Sequence, residues 1–496
     1  MRDAGGGAAL IGRRTIWSHA ELEAAVDGLA ARLVAAARPG PVLIHGHMEP
    51  EVVAALLACD RLGRPAVPLD VACPPARAAE IADLAAVTAA VCAAEPPPAL
   101  ASALRVRGAP LVAPAGAAGA GSPPPPPGDG DPVAYVMFTS GSSGYPKGVP
   151  VRRSAVRHFC RWCREIGAPE GEGPPVVLGQ APFSFDLSVM GLCLAVGGGG
   201  ALFLLDRGQV ADGRALFRAL AGSGLTVWVS TPSFARLCLA EPSFGAAMLP
   251  GLRRFLFCGE TLPAAVAAAL LQRFPGAEVW NTYGPTEATV AVTAVRVPPE
   301  LAAAGGPLPV GRPAPGMRVW VAEPGSPEPW RALAEGVEGE ILIAGPQVGP
   351  GYLPGTGGEQ PGFVDLPPAA GGGSAYRTGD LGVFRGGLLY CLGRLDRQLK
   401  LRGYRLEPEE IEHHLRALPG VADAAVAVPR RRGEPDHLVA FVATAGAWDA
   451  AAWRAALAER LPSYAVPRLI RPVPAERWPL TPNGKVDRAA LERMLP

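Results

Sequence analysis

The chain has no excess charge of either sign, few aromatic residues and no long apolar run. Forty-six Lys and Arg stand against 45 Asp and Glu, a formal net charge of +1 over 496 residues. No global field therefore recruits nucleic acid or an anionic membrane, and the expected partner is small or local. No apolar span approaches the roughly eighteen residues of a membrane helix, and no secretory leader opens the sequence, so a soluble, cytoplasmic protein is expected. The nine cysteines (59, 73, 92, 160, 163, 193, 238, 258 and 391) are scattered through apolar segments, a spacing that suits reduced thiols better than a disulfide framework. Cys160 and Cys163 form one CxxC with no second pair nearby, which argues against zinc. Aromatics make up only 6% of the chain, and Ala, Gly and Pro are abundant; propensity therefore says little and periodicity carries the reading.

A length of 496 residues suggests two to four domains or subdomains. In residues 41–70, PVLIHGH reads as a strand, PEVVAALLACDRLG places Val53, Leu56, Leu57 and Leu62 at helical spacing, and PAVPLD reads as a second strand. Strand, helix, strand implies a parallel sheet. The alternation returns through VVLGQ, ALFLL, LTVWVS, RFLFCGE and AEVWNTYG, and an open α/β architecture binds ligands at the carboxyl ends of such strands. Residues 114–131 are Pro/Gly/Ala-rich and aperiodic, as in an exposed connection. Beyond about residue 300 the pattern is β-rich, and from about 397 a compact α+β unit follows.

Five polar segments interrupt this pattern. FTSGSSGYPKGV (138–149) follows an apolar strand and offers hydroxyls, backbone N–H groups and Lys147, a set suited to polyphosphate. It is not a Walker loop, because Lys147 lies between Pro146 and Gly148. NTYGPTEATV (281–290) supplies an aromatic face, a hydroxyl and the carboxylate of Glu287, an oxygen ligand for Mg²⁺ on phosphates. YRTGDLG (376–382) presents Asp380 after a glycine, placed to accept from ribose hydroxyls. GRLDRQLKLRGYRLEPEEIE begins at 393, and PNGKVDR (482–488) puts Lys485 on a turn near the end of the chain. Read singly, each has a plain structural alternative: a surface linker, a core tyrosine, an Asx turn, a charged interdomain link and a solvated lysine.

In this order and at these separations, the five segments closely resemble the core motifs of the adenylate-forming (ANL) superfamily, which includes acyl-CoA synthetases, luciferases and amino-acid adenylation domains. The resemblance spans essentially the whole chain. It implies an α/β fold with a large multilayer N-terminal domain of parallel sheets and a small β subdomain over 1–395, and a small mobile α+β C-terminal domain over 396–496. APFSFDLSVM (181–190) sets Asp186 in an apolar run, where a carboxylate needs a cationic partner; a substrate ammonium would serve, and amino-acid-activating members carry such an Asp. GHMEPE, TPSFARLCL, FLFCGE and NTYGPTEATVAVT are most similar to the ligases that load D-alanine on a carrier protein.

The resemblance further implies ATP and Mg²⁺ as cofactors. Thr139, Ser140, Ser142 and Lys147 would hold the phosphates, residues 281–286 (Asn281, Thr282, Tyr283, Gly284, Pro285, Thr286) the nucleotide, Asp380 and Arg394 the ribose, and Glu287 the metal. The amino-acid pocket would comprise Asp186, Leu187, Met190, Leu256, Cys258, Thr282, Val290 and Ala291, sized for a methyl side chain. Lys485 would be the catalytic group, shared between ATP and amino acid, Asp396 the hinge, and Gly403 part of the thiol tunnel. A phosphopantetheinylated carrier protein would bind transiently in trans, with neither nucleic acid nor membrane as a partner. A free-standing natural-product adenylation enzyme for L-alanine or another small amino acid uses the same residues. An acyl-CoA synthetase is disfavoured by Asp186, and a catalytically silent binding protein by the joint presence of Lys485, Glu287 and Asp380.

Overall fold

The structure is a computed structural model that describes residues 7–114, 130–141, 144–168, 173–356, 362–401, 403–431, 434–444, 448–481 and 485–495. The alternation over 41–70 becomes strand Val42–Gly46, helix Pro50–Leu62 and strand Ala66–Asp70. Pro50 starts the helix and Gly63, in the left-handed region at φ 62°, ends it. Val42–Gly46 lies parallel to Ala66–Asp70 on one side and to Ala89–Cys92 on the other, within a six-stranded sheet.

A second sheet has nine strands. Its centre is Glu278–Tyr283, Arg254–Phe257, Val227–Ser230, Val176–Gly179 and Ala201–Leu204, each parallel to the next. Their carboxyl ends therefore share one edge, and the CGE and NTYGPTE loops emerge there side by side. The Ser/Gly segment belongs to the first sheet: strand Val133–Thr139 returns antiparallel as Lys147–Arg152, with Thr139 opposite Lys147. The segment thus runs from strand to strand and not from strand to helix, the order that a Walker loop requires.

The β-rich region is a mainly antiparallel sheet built from Arg318–Ala322, Gly339–Ala344, Phe363–Asp365, Ser374–Arg385 and Leu388–Arg394. The C-terminal unit sets helices Pro408–Arg416 and Ala450–Ala458 against the three strands Val421–Ala427, Val439–Thr444 and Leu469–Pro474. It has its own apolar core, including Ile411, Leu415, Val442, Leu457 and Ile470. Leu401 and Leu406 join that core, so the hairpin formed by Leu399–Leu401 and Tyr404–Leu406 is anchored in the C-terminal unit.

One expectation is corrected. Cys160 and Cys193 are joined by a disulfide, not held as reduced thiols. Helices Arg153–Gly167 and Leu187–Ala195 pack together, bringing the two Cα atoms to 5.1 Å. Most of the Pro-rich stretch 114–131 lies outside the described residues. Among those described, no helix is long and apolar enough to cross a membrane.

Candidate active site

The hairpin mouth supplies the first polar groups. The Thr139 hydroxyl is buried without a hydrogen-bond partner, an orphan donor of the kind that a ligand oxygen satisfies. Ser140 Oγ donates to the carbonyl of Arg405 at 2.9 Å. Lys147 is buried, with its ammonium 5.7 Å from the centre of the Tyr352 ring. A Cβ at Gly141 would lie 2.1 Å from the Tyr145 carbonyl, so only glycine fits there. Ser142 lies outside the described residues.

Glu287 sits beside this mouth in a single 3-10 turn, Thr286–Ala288, with no exposed surface. Its carboxylate accepts from Tyr352 Oη at 2.7 Å and from Arg405 Nη1, which lies 2.9 and 2.8 Å from its two oxygens. Burial pushes the carboxyl pKa up, but the Arg405 guanidinium and the Tyr352 hydroxyl outweigh this and hold it below the ordinary glutamate value. Across the strand end, buried Tyr283 donates to Asp380 Oδ2 at 2.6 Å, and Arg394 Nη1 donates to Asp380 Oδ1 at 3.0 Å. Arg394 also clasps Asp396 through Nε and Nη2 at 2.8 and 2.5 Å. The proposed ribose pair and the proposed hinge are thus one hydrogen-bonded cluster.

Asp186 precedes helix Leu187–Ala195 at the N-cap position, yet its side chain does not cap the helix. Its Oδ2 instead accepts from Thr286 Oγ1 at 2.6 Å. Burial raises the Asp186 pKa; Thr286 offsets part of this, Glu287 adds to it, and Lys400 partly relieves it. Leu187, Met190, Leu256, Cys258, Val290 and Ala291 are buried in one apolar cluster, and the Asp186 charge acts on Cys258. The Cys258 thiol approaches the Val290 carbonyl at 3.5 Å, and burial raises its pKa. Thr289 and Val290 adopt φ of 58° and 68°, which costs a β-branched residue of order 1–3 kcal/mol. Fully buried Gln347 holds this turn in place, donating to the carbonyls of Ala291 at 2.7 Å and of Ala288 and Thr289 at 3.3 Å.

The C-terminal unit reaches into the same place. Gly403 has φ 86°, and a Cβ there would come within 2.6 Å of Thr231 Cγ2, beyond the carboxyl end of Val227–Ser230. Lys400 Nζ lies 5.9 Å from the Tyr283 ring centre. Farther out, Arg77 and Glu410, both buried, pair at 2.5 Å. Lys485 is exposed, and its backbone N–H donates to Thr481 Oγ1; among the described residues, no hydrogen bond or ion pair ties its ammonium to Asp186, Glu287 or Asp380.

With this geometry in place, comparison with known proteins decides the family. Residues 2–353 match the AMP-binding enzymes, and residues 410–485 match the AMP-binding enzyme C-terminal domain. The chain belongs to the AMP-binding enzyme family. The D-alanine–D-alanyl carrier protein ligase of Bacillus cytotoxicus is 40% identical over 468 residues, covering 91% of this chain and 88% of that one; a Bacillus cereus ligase of the same name is 39% identical over 464 residues, with the same coverage. Among solved structures, a nonribosomal peptide synthetase protein with adenylation and PCP domains, bound to a vinylsulfonamide inhibitor, superposes with a TM-score of 0.82 at 28% identity, covering 99% of this chain and 82% of that one. As a member of this family the chain is an ATP-dependent, AMP-forming ligase.

Several of this enzyme's site groups escape a reading of its sequence. Tyr352 and Arg405 converge on Glu287 from 65 and 118 residues away, and only a pattern pairing a buried acid with a distant base could have linked them. Thr286 serves Asp186 in this arrangement. The Asn281 amide donates to the Pro309 carbonyl and the Thr282 hydroxyl to the Phe257 carbonyl, both at 2.8 Å, so these donors brace the loop.

Proposed function

We infer that this ligase activates D-alanine as an aminoacyl adenylate and transfers it to the phosphopantetheine thiol of a separate carrier protein. The observation that carries the reading is Asp186. It is a carboxylate at the head of a buried apolar helix, steadied by one hydroxyl, and burial raises its pKa. A substrate ammonium would answer that charge, and the modest size of Cys258, Val290 and Ala291 suits a side chain on the scale of a methyl group. The choice of alanine, and of its D form, draws on the names of the relatives.

In the first half-reaction the substrate carboxylate attacks the α-phosphorus of ATP, and pyrophosphate leaves. Thr139, Ser140, Ser142 and Lys147 hold the departing phosphates, Tyr283 and the backbone around Gly284 and Pro285 face the adenine, and Asp380 and Arg394 take the ribose. Mg²⁺ suits Glu287, since one protein carboxylate with phosphate oxygens is its usual ligand set; bound there, it supplies positive charge to the phosphates. Lys485 neutralises charge that develops between substrate carboxylate and phosphate. In the second half-reaction the thiol attacks the acyl carbon, the thioester forms and AMP leaves. Residues 1–395 form the core and 396–496 the mobile unit, which turns about Asp396 to exchange Lys485 for the Gly403 loop. The tight space beside Gly403, where a Cβ would come within 2.6 Å of Thr231 Cγ2, supports reading the docked hairpin as the second arrangement. The need for ATP supports a cytoplasmic location.

Pyrophosphate exchange across both enantiomers of alanine and serine, with glycine, tests the assignment. D-alanine should dominate, and the loaded carrier should appear by intact mass. Preference for an L-amino acid would favour a natural-product adenylation enzyme, and turnover of free coenzyme A an acyl-CoA synthetase.

A further inference from the structure

The hairpin of residues 399–406 carries two cations into the site. Lys400 stands over Tyr283, and Arg405 closes on both oxygens of Glu287. Around them, the Arg405 carbonyl accepts from Ser140, Tyr404 stacks on Tyr464 at 3.8 Å between ring centres and tilts against Phe185, and Gly403 lies where a Cβ would come within 2.6 Å of Thr231 Cγ2. With the hairpin docked, Glu287 has no solvent access, so here it needs a cation; a buried carboxylate stripped of its partner is strongly destabilising. A guanidinium nitrogen at 2.8–2.9 Å from both oxygens occupies the approach that an ion coordinated at about 2.1 Å requires. Tyr352 already takes a further lone pair. Both cations cannot be seated together.

We propose that Glu287 has two mutually exclusive cationic occupants, the nucleotide-bound divalent metal and the Arg405 guanidinium, and that Arg405 is the positioning residue that docks the Gly403 hairpin when the metal leaves. Arg405 holds the thioester-forming arrangement by replacing the lost charge, so hairpin docking is tied to departure of metal and pyrophosphate. The inference rests on the ATP site proposed above, but not on the identity of the amino acid. The Ser140 bond to the Arg405 carbonyl points the same way: a hydroxyl assigned above to the nucleotide phosphates is engaged by the docked hairpin.

The test uses the full chain, the variants Arg405→Met and Arg405→Lys, and an ATP analogue with a methylene bridge between the α- and β-phosphates. Hydrogen exchange over residues 399–406 reports docking, and calorimetric titration reports the Mg²⁺ concentration needed for analogue binding. The wild-type hairpin should be protected without ligand and exposed by analogue with Mg²⁺, but much less by analogue with chelator. Arg405→Met should be exposed from the start and should need about tenfold less Mg²⁺, the weight of one charge-assisted hydrogen-bonded pair. Arg405→Lys should fall between. A hairpin in Arg405→Met as protected as wild type, or an unchanged Mg²⁺ requirement in a folded variant, overturns the proposal. Should Arg405→Met lack a cooperative melting transition, Arg405→Lys decides by the same Mg²⁺ titration. Failure of wild type to bind the analogue overturns the ATP-site assignment and this inference together, whereas failure to activate D-alanine leaves every one of these readouts unmoved.

Discussion

Replacing Asp186 tests the proposed electrostatic match between its carboxylate and a substrate ammonium. In Asp186→Ala the substrate ammonium loses its counter-charge and the Thr286 hydroxyl loses its acceptor. Truncating one partner of a buried, hydrogen-bonded charge pair costs about 2–5 kcal/mol. Asp186 is only half-buried, so the lower part of that range applies, about 30- to 150-fold in kcat/KM for alanine by pyrophosphate exchange. Asp186→Asn retains an oxygen for Thr286 and loses only the charge; the two variants should differ by no more than about 1 kcal/mol, the weight of a neutral hydrogen bond. The pH dependence has a definite sign. Burial raises the folded-state pKa of Asp186, so the proton binds more tightly to the folded than to the unfolded chain. The stability this contributes is full below the ordinary aspartate value and is lost as pH rises through the raised one. Without substrate, Tm of the wild type should therefore fall across that window relative to Asp186→Asn, while KM for alanine should improve over the same window in the wild type alone. Alanine activation that is unchanged in Asp186→Ala would refute the ammonium assignment.

Three further outcomes follow from other parts of the molecule. Lys485→Ala should slow adenylation by about 10² to 10³, while transfer from preformed alanyl adenylate to the carrier falls far less; equal losses in single-turnover assays of the two steps would contradict the division of labour. Gly403→Ala places a Cβ against Thr231 at a φ of 86°, a strain of about 1–2 kcal/mol before the clash is counted; thioester formation should fall more than pyrophosphate exchange, and equal effects would place Gly403 outside the transfer step. In the C-terminal unit the buried Glu412 carboxylate accepts from Arg397, from both terminal nitrogens of Arg488 and from the Val426 N–H; burial raises its pKa, but Arg488 and Arg397 outweigh this and hold it at about 2. That stability is present above the unfolded glutamate value and is lost as pH falls through about 2, so Glu412→Gln should cost about 3 kcal/mol at neutral pH by denaturant unfolding and should remove the acid sensitivity in that window.

The parts legible in the sequence are those whose signal is local. Val42–Gly46 and Pro50–Leu62 follow from periodicity with Pro and Gly punctuation, and the Ser/Gly segment declares its chemistry by composition even though its hairpin geometry does not show. The illegible parts are pairings across long separations. Arg405 is one of several bases in KLRGYRLEPEE, and nothing local marks it as the partner of Glu287 rather than of its own neighbours. Thr286 reads as a nucleotide donor because it sits beside Glu287, yet its hydroxyl crosses a hundred residues to Asp186. Cys160 and Cys193 meet only because two helices pack, a tertiary fact that the spacing of nine cysteines does not contain.

The charge balance of the site explains why one of its acids is left for a guest. Glu287 and Asp380 are each buried and each matched by an arginine, Arg405 and Arg394. Asp186 has a hydroxyl within bonding distance and, among the described residues, no ion pair; Lys400 acts on it only as a more distant charge. The consequence appears in the direction of the pKa shifts: Glu287 is held down by its guanidinium and Asp186 is pushed up for want of one. A protein selected for stability alone would replace such a carboxylate, because an apolar residue in its place costs nothing comparable. Its presence beside a turn held at positive φ by Gln347 concentrates two unfavourable features at one point, as expected where both are offset by a bound cation. In the function proposed above, an α-amino group whose own carboxylate points toward the phosphate loop would supply that cation, and the same molecule would bring its nucleophile to the nucleotide.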